Sequence, residues 1–377
     1  MSFAAILAET PVRDLAAFAM RASSADVERA LAKPAGTRDL WDFSALLAPA
    51  GSDRLEEIAR AAHALTVRRF GKTVHMYAPM YLSNECLTTC TYCGFAKELP
   101  IARKTLSVGQ SLAEGQWLRR QGYRHVLLLT GEHQKLTGVD FLCEHIGALS
   151  ELFPQISLEV QVWSTDEYRR LVAAGCDGVV IYQETYDREA YARFHLGGKK
   201  RSYDWRLEGP ERAARAGVRR LGIGALLGLH EPWREDAIAV AAHALHLQKV
   251  AWRSELAVSV PRIRPSASGY VPEHPVDDRA LAQTICALRL LLPDAGIVMS
   301  SREAPGFRDQ LVRLGVTHTS AGSHTDPGGY TEPDEAEGQF EVNDTRPPAE
   351  VATALRALGY EPVWKDWDPA MRRLESV

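Results

Sequence analysis

LVAAGCDGVVIY, residues 171–182, carries the pattern that sets the fold: the end of an amphipathic helix, a stop at Gly175, and then a run of β-branched residues. A glycine just past the last apolar position ends a helix in the left-handed conformation, and Val-Val-Ile favours an extended chain. The unit recurs as RRQGYRHVLLL (119–129), AARAGVRRLGIG (213–224) and LVRLGVTHTS (311–320). Working outward, eight strands are expected at 74–82, 125–130, 157–162, 178–183, 220–229, 256–263, 296–301 and 317–322. Helices are expected between them, at about 105–121, 139–151, 166–174, 205–216, 233–250, 277–291 and 303–314. A parallel neighbour needs a covered crossover, so the fold class expected is α/β, a (β/α)8 TIM-like barrel. An open doubly wound sheet uses the same alternation, but its Gly-x-Gly-x-x-Gly is missing after the first strand.

Around this barrel, expected to span 71–323, the chain carries two appendages. Residues 1–70 form a helical extension, with apolar positions recurring at three and four from about residue 12. Residues 324–377 begin with an irregular stretch rich in Pro, Gly and acids, and end in a helix at about 348–358 and the run YEPVWKDWD. This is expected to be a tail folded on the barrel.

Of the 377 residues 46% are hydrophobic and 24% charged, as in a soluble globular protein, and the formal net charge is −4. No concentrated basic face points to nucleic acid or an anionic membrane; the short run Lys199-Lys200-Arg201 is expected to be a solvated loop. The start lacks a basic n-region followed by an apolar h-region, and no apolar run approaches the roughly 20 residues of a membrane span. A cytoplasmic protein is expected.

Three of the six cysteines, Cys86, Cys90 and Cys93, fall within NECLTTCTYCGF, directly after the first strand. Barrel enzymes place their chemistry at the C-terminal ends of the strands, so this cluster sits at the catalytic mouth. Three thiolates on a four-iron cubane leave one iron without a protein ligand. Structural zinc would want four ligands, usually as paired knuckles, and Cys143, Cys176 and Cys286 stand alone. Zinc remains the alternative.

Other strand ends carry polar groups. Glu159 and Gln161 on the third strand, and Gln183 on the fourth, are costly to bury without partners; a polar ligand such as ribose or an amino acid, or a closed hydrogen-bond network, accounts for them. Arg262 near the end of the sixth strand, and Ser301 and Arg302 at the end of the seventh, are placed to grip a carboxylate in the two-pronged manner of guanidinium, with structural ion pairs as the competing account.

Cys-x-x-x-Cys-x-x-Cys with Tyr92 before the third cysteine resembles the signature of the radical S-adenosylmethionine (SAM) superfamily. With LTGEHQ, IYQETY, HLGGKKRSYDWRLE, GIGALLGL, PRIRP, SSREAPGFRD and PVWKDWD, the chain resembles the 2-iminoacetate synthase family along its whole length. The resemblance implies a barrel of the radical SAM type, a [4Fe–4S] cluster on Cys86, Cys90 and Cys93, and SAM as cofactor. It implies SAM contacts at Tyr92, Gly131, Glu132, Glu159, Gln161 and Gln183, and substrate contacts near Tyr81, Arg262, Ser301 and Arg302. The implied reaction is cleavage of the Cα–Cβ bond of L-tyrosine to 2-iminoacetate and p-cresol for the thiazole of thiamin. Implied partners are thiazole synthase and a flavodoxin-like or ferredoxin-like electron donor. The related hydrogenase maturase carries a second cluster on C-terminal cysteines, whereas this chain has none after Cys286. Biotin-synthase and deazaflavin-cofactor types, and a metal-binding subunit without chemistry of its own, are the other readings left open.

Overall fold

The computed structural model describes residues 2–333, 335–365 and 367–368. Asp366 of the YEPVWKDWD run and the expected tail at 369–377 lie outside the described residues. Eight parallel strands form the barrel: β1 Thr73–Ser83, β2 His125–Thr130, β3 Gln155–Glu159, β4 Gly178–Glu184, β5 Arg220–Ala225, β6 Glu255–Ser259, β7 Gly296–Met299 and β8 His318–Ser320. They follow one another around the sheet, and the pairing of His75 with His318 through Tyr77 with Ser320 closes it.

Side chains alternate across a strand, and β1 shows the consequence. Val74, Met76, Ala78, Met80 and Leu82 join the main core under the helices. Tyr77 and Tyr81 face the lumen with Leu127 and Leu129. The lumen floor is polar: His125 Nε2 lies 3.0 Å from Ser157 Oγ, and Arg220 Nη2 donates to His318 Nε2 at 2.6 Å. Burial, and then the Arg220 charge, push both imidazoles well below their ordinary value, so His318 is neutral and can accept from the guanidinium.

Several strands end earlier than the sequence pattern suggests: β5 stops at Ala225 rather than 229, β6 at Ser259 rather than 263, and β3 at Glu159 rather than 162. The segments beyond them stay apolar because Val160, Val162, Leu227 and Val260 still pack into the main core, so composition alone carries on past the end of the strand. A ribbon, Thr89–Cys90 against His195–Gly197, was not anticipated.

The extension consists of six helices, Phe3–Glu9, Val12–Arg21, Ser24–Ala32, Leu40–Leu46, Pro49–Asp53 and Leu55–Phe70. Ser23 and Asp39 start their helices with capping boxes. The first helix has no side-chain cap and no amphipathic length to announce it. Tertiary contacts hold it: Phe3 stacks on His243 with ring centroids 4.0 Å apart, and its N–H donates to Glu211 Oε1 at 2.9 Å.

Residues after 323 do not trail away; they cross the mouth as a strap. Tyr330 donates its hydroxyl to Pro79 O at 2.6 Å, Glu341 N donates to Pro265 O at 2.9 Å, and the N–H groups of Asn343 and Asp344 both reach Ser301 O at 3.1 Å. The helix Pro348–Ala357 follows, and Glu361–Val363 then pairs in parallel with the start of β1. The strap is anchored by the fully buried Asp344, which bonds Arg308 and takes Arg346 Nε at 2.9 Å. Burial alone would raise the Asp344 carboxyl, but the Arg346 and Arg308 guanidiniums outweigh it and hold the group below the usual range.

Asp344→Ala strands the buried Arg308 charge and is expected to cost about 3–5 kcal/mol, read as a lowered unfolding midpoint. A carboxyl depressed in the folded state stabilises above its unfolded value near 4 and loses that contribution as pH falls through the folded one. The difference between wild type and variant should therefore shrink on acidification below about pH 4.

Candidate functional site

The loop after β1 holds the three cysteines by backbone contacts on all sides. Leu87 N donates to Glu132 O at 2.9 Å, Gly131 N to Ser83 O at 2.9 Å, Thr91 N to Phe194 O at 3.1 Å and Gly94 N to Gln339 O at 3.2 Å. Arg103 ties the two ends of the loop together, donating to Asn84 O at 2.6 Å, Phe95 O at 2.9 Å and Ala96 O at 2.7 Å. At two points the approach is too close for a side chain. A Cβ on Gly131 would lie 2.3 Å from Glu85 O and 2.9 Å from Cys86 Cβ, and one on Gly94 would lie 2.5 Å from Gln339 O.

Held in this way, the thiols converge. Thr88 Oγ1 sits 2.9 Å from Cys86 Sγ and 3.6 Å from Cys90 Sγ, while Cys93 Sγ accepts from Phe95 N at 3.4 Å and from Gln339 Nε2 at 3.8 Å. Burial pushes the Cys90 thiol up to about 12; Lys200 opposes the shift, and Cys93 and Cys86 add to it. Burial and Cys86 likewise raise Cys93. Cys90 and Cys93, whose ionisation burial and the neighbouring sulfurs oppose, fit a metal centre together with Cys86, because a bound cation removes that penalty. All three are free of disulfides. Cys86, Cys90 and Cys93 are thus the residues that could hold a [4Fe–4S] cluster, with one iron left open.

Two cations and two carboxylates make a buried network beside them. Lys200 Nζ donates to Glu184 Oε1 at 2.8 Å, Arg206 Nη1 donates to Glu132 Oε1 at 3.1 Å, and Arg206 Nη2 lies 3.7 Å from Glu184. Burial would raise Glu184, but Lys200 and Arg206 win and hold it below the ordinary carboxylate range. Glu184 follows a register shift in the β4–β5 ladder and has φ 71°, a strained conformation for a residue with a side chain.

Tyr81 donates its hydroxyl to Gln339 Oε1 at 2.8 Å, so Gln339 spans Tyr81 and Cys93. Burial and the nearby Glu159 raise the Tyr81 phenol well above its usual value, with Arg302 opposing. Glu159 lies within electrostatic reach of Tyr81, and its carboxyl has no hydrogen-bond partner among the described residues. Burial first, and then the like charge of Glu184, lift its carboxyl to about 7 against Arg302, Lys200 and Arg206. Arg302 lies 3.4 Å above the Phe340 ring and makes no ion pair among the described residues.

The remaining candidates are placed differently. Tyr92 points its hydroxyl at His195 Nε2, 2.9 Å away, and its carbonyl accepts from Ser266 Oγ at 3.2 Å. Gln161 donates to Thr137 O at 3.1 Å and so buttresses the turn after Gly131. Gln183 lies by the covering helix Tyr203–Leu207, with Nε2 3.5 Å from Tyr203 O. Ser301 is buried, and its carbonyl anchors the strap. Arg262 is engaged outside this cavity: Nε donates to Glu303 Oε1 at 3.0 Å, Nη1 to Val276 O at 2.8 Å, and Nη2 lies 2.8 Å from Asp278. The competing ion-pair account describes its position, and a substrate carboxylate would have to displace Glu303.

Sequence reasoning did not single out Gln339, Arg206, Lys200 or Arg103. Gln339 lies in a polar stretch with no local signal at all. Lys200 was hidden in a basic run that otherwise faces solvent.

A closed parallel barrel that gathers three cysteine thiols at the C-terminal end of its first strand defines a radical SAM enzyme. The Radical SAM superfamily model matches residues 80–241, and the Biotin and Thiamin Synthesis associated domain matches residues 259–361. The chain is 48% identical over 351 residues to 2-iminoacetate synthase of Escherichia coli (strain K12), covering 93% of each. It is 46% identical over 355 residues to 2-iminoacetate synthase of Salmonella typhimurium, covering 94% of each. The crystal structure of HydG, a maturase of the [FeFe]-hydrogenase, matches with a TM-score of 0.88 at 28% identity, over 97% of this chain and 81% of that one. Methylornithine synthase (PylB) matches at 0.72 and 18% identity over 90% and 97%, a likeness of fold. The chain belongs to the 2-iminoacetate synthase family. Its cofactors are those of the superfamily, a [4Fe–4S] cluster and SAM. Among the described residues no helix is long and apolar enough to cross a membrane.

Gly131→Ala is expected to push the Glu85–Cys86 backbone away and to lower iron and sulfide bound per chain after anaerobic reconstitution, with the far-ultraviolet circular dichroism of the barrel retained. Full iron loading would show that the loop tolerates the displacement.

Proposed function

We propose that the chain cleaves the Cα–Cβ bond of L-tyrosine to give 2-iminoacetate and p-cresol, the imine going on to the thiazole of thiamin. The observation that carries this is that Tyr81 lies within electrostatic reach of Cys93 and of a carboxylate and a guanidinium, Glu159 and Arg302, that have no ion-pair partner among the described residues. Family membership supplies the substrate.

When bound, the cluster and SAM supply a 5′-deoxyadenosyl radical able to take hydrogen from the substrate. Cys86, Cys90 and Cys93 ligate the cluster. Glu132, fixed by Arg206, and the backbone at Gly131 and Tyr92 face the SAM side of the loop. Arg302 binds the tyrosine carboxylate, its plane set by Phe340. Tyr81, oriented by Gln339, packs against the substrate, and Glu159 supplies countercharge to a cationic group. Buried Ser301 keeps Arg302 in register by holding the strap. The strap excludes water, which an imine needs excluded to escape hydrolysis. Thiazole synthase as acceptor of the imine, a low-potential flavodoxin or ferredoxin as donor, and a cytoplasmic setting complete the proposal.

Anaerobic reduction with tyrosine and SAM should give p-cresol and 5′-deoxyadenosine in step; absence of p-cresol with SAM still cleaved would move the chain to another tyrosine-using radical SAM activity. Cys90→Ala should abolish both products and the cluster while the barrel stays folded. Arg302→Ala should raise KM for tyrosine at least about tenfold, the loss of one charge-assisted contact worth ~1.5–3 kcal/mol, with SAM cleavage retained. Because Glu159 is neutral below about 7 in the ligand-free site, binding of the sulfonium should expel its proton near neutrality. Titration calorimetry should then show buffer-dependent heats that Glu159→Gln removes.

A further inference from the structure

Radical SAM chemistry needs one electron delivered to the cluster from outside, and one face beside the cysteines is built for a protein carrier. We propose that the exposed surface around Leu87 and Leu196 is the docking face for an acidic one-electron carrier; this rests on the radical SAM reading above.

The ribbon pairs Cys90 with His195, and both are buried. By alternation Leu196 then turns outward, and it is 56% exposed. Leu87, in the cysteine loop itself, is 45% exposed, and Leu136, on the turn that follows Glu132, is 40% exposed. These three segments are bound to one another: Leu87 N reaches Glu132 O at 2.9 Å, and a Cβ on Gly198 would lie 2.9 Å from Leu87 O. A single exposed leucine is ordinary. Three on segments bonded to the cysteine loop supply this face with apolar side chains.

The rim is cationic. Lys97, Lys135, Lys199 and Arg201 are exposed, and none makes an ion pair among the described residues. Lys97 N is bonded to Thr88 O at 3.0 Å, and Lys199–Arg201 forms a short turn directly after the ribbon. Glu98, exposed beside them, accepts from Thr89 Oγ1 at 2.5 Å and keeps its charge, so the four cations outnumber it. In a chain whose net charge is −4, this local reversal is a field that steers an acidic partner and repels a basic one. A leucine centre without stacking aromatics does not suit nucleic acid. The carrier, a reduced flavin or iron–sulfur protein, is oxidised by one electron, and the cluster held by the three thiolates is reduced by one.

The reconstituted holoenzyme is tested by following the bleaching of cluster absorbance, with a reduced acidic flavodoxin as probe and dithionite as a small reductant that needs no docking. Lys199→Glu with Arg201→Glu, and separately Leu196→Asp, should slow flavodoxin-driven reduction at least tenfold. Wild-type rates should fall steeply with salt, and the charge-reversed variant's should not. Dithionite-driven reduction and 5′-deoxyadenosine formation should be unchanged. Equal flavodoxin rates in variants and wild type, with dithionite chemistry intact, would overturn the docking face alone. Failure of dithionite to support SAM cleavage in the wild type would overturn the radical SAM reading and the face with it. Loss of binding to phosphatidylglycerol vesicles in the double variant, with flavodoxin rates unaffected, would assign the face to a lipid surface instead.

Discussion

Three thiols within mutual electrostatic reach, one buried and two half-buried, are the constraint around which the rest of the molecule is arranged. Ionisation of Cys90 and Cys93 is opposed by burial and by the neighbouring sulfurs, so the bare loop has no electrostatic reason to hold this shape. Rigid neighbours hold it instead. Arg103 crosslinks the two ends of the loop, the turn at Gly131 presses against Glu85 with no room for a methyl group, and the strap presses on Gly94 in the same way. Distributed backbone contacts keep the sulfurs together where the thiols themselves supply no attraction, and a cation then enters a prepared site.

The strap links this loop to the far side of the mouth. Gln339 reaches Tyr81 and Cys93, Phe340 underlies Arg302, and Asn343 and Asp344 bind Ser301. One segment therefore sets the positions of groups from the first and seventh strands together, and it is anchored at the buried pair Asp344 and Arg308. The anchor touches the barrel wall as well, since Arg308 Nη2 donates to Thr319 Oγ1 at 2.6 Å.

Much of this was legible in the sequence for physical reasons that also mark its limits. The helix–glycine–strand unit is local, and it gave the order of the eight strands. The cysteine spacing is local too, and it lies where a barrel keeps its loops. Partners supplied by distant segments leave no local trace: nothing around Gln339 distinguishes it from other polar tail residues, and Arg206 lies on a short helix where a basic residue reads as solvated. Arg262 failed in the opposite way. Its place near a strand end suggested a ligand, but Glu303, one residue beyond Arg302 in sequence, takes the guanidinium in a two-pronged pair. Residues so close in sequence diverge in role because the chain turns at the end of β7, and the turn cannot be read from residue types.

The pattern of paired and unpaired charge gives the cavity its meaning. Leaving a buried charge without a partner costs several kcal/mol, and the protein avoids it at Arg308 with Asp344, Arg219 with Asp177, Arg206 with Glu132 and Lys200 with Glu184. Arg289, enclosed without an acid, is instead wrapped by the carbonyls of Leu292, Pro293, Ala295 and Gly315. Against that rule Glu159 and Arg302 stand apart, opposite in sign and within electrostatic reach of each other. The protein tolerates them by two devices: Glu159 lifts its carboxyl to about 7 and can stay neutral, and Arg302 spreads its charge over the Phe340 ring. An amino acid brings one carboxylate and one ammonium, and SAM brings the same pair plus a sulfonium. A ligand of that kind is what turns two tolerated charges into two satisfied ones.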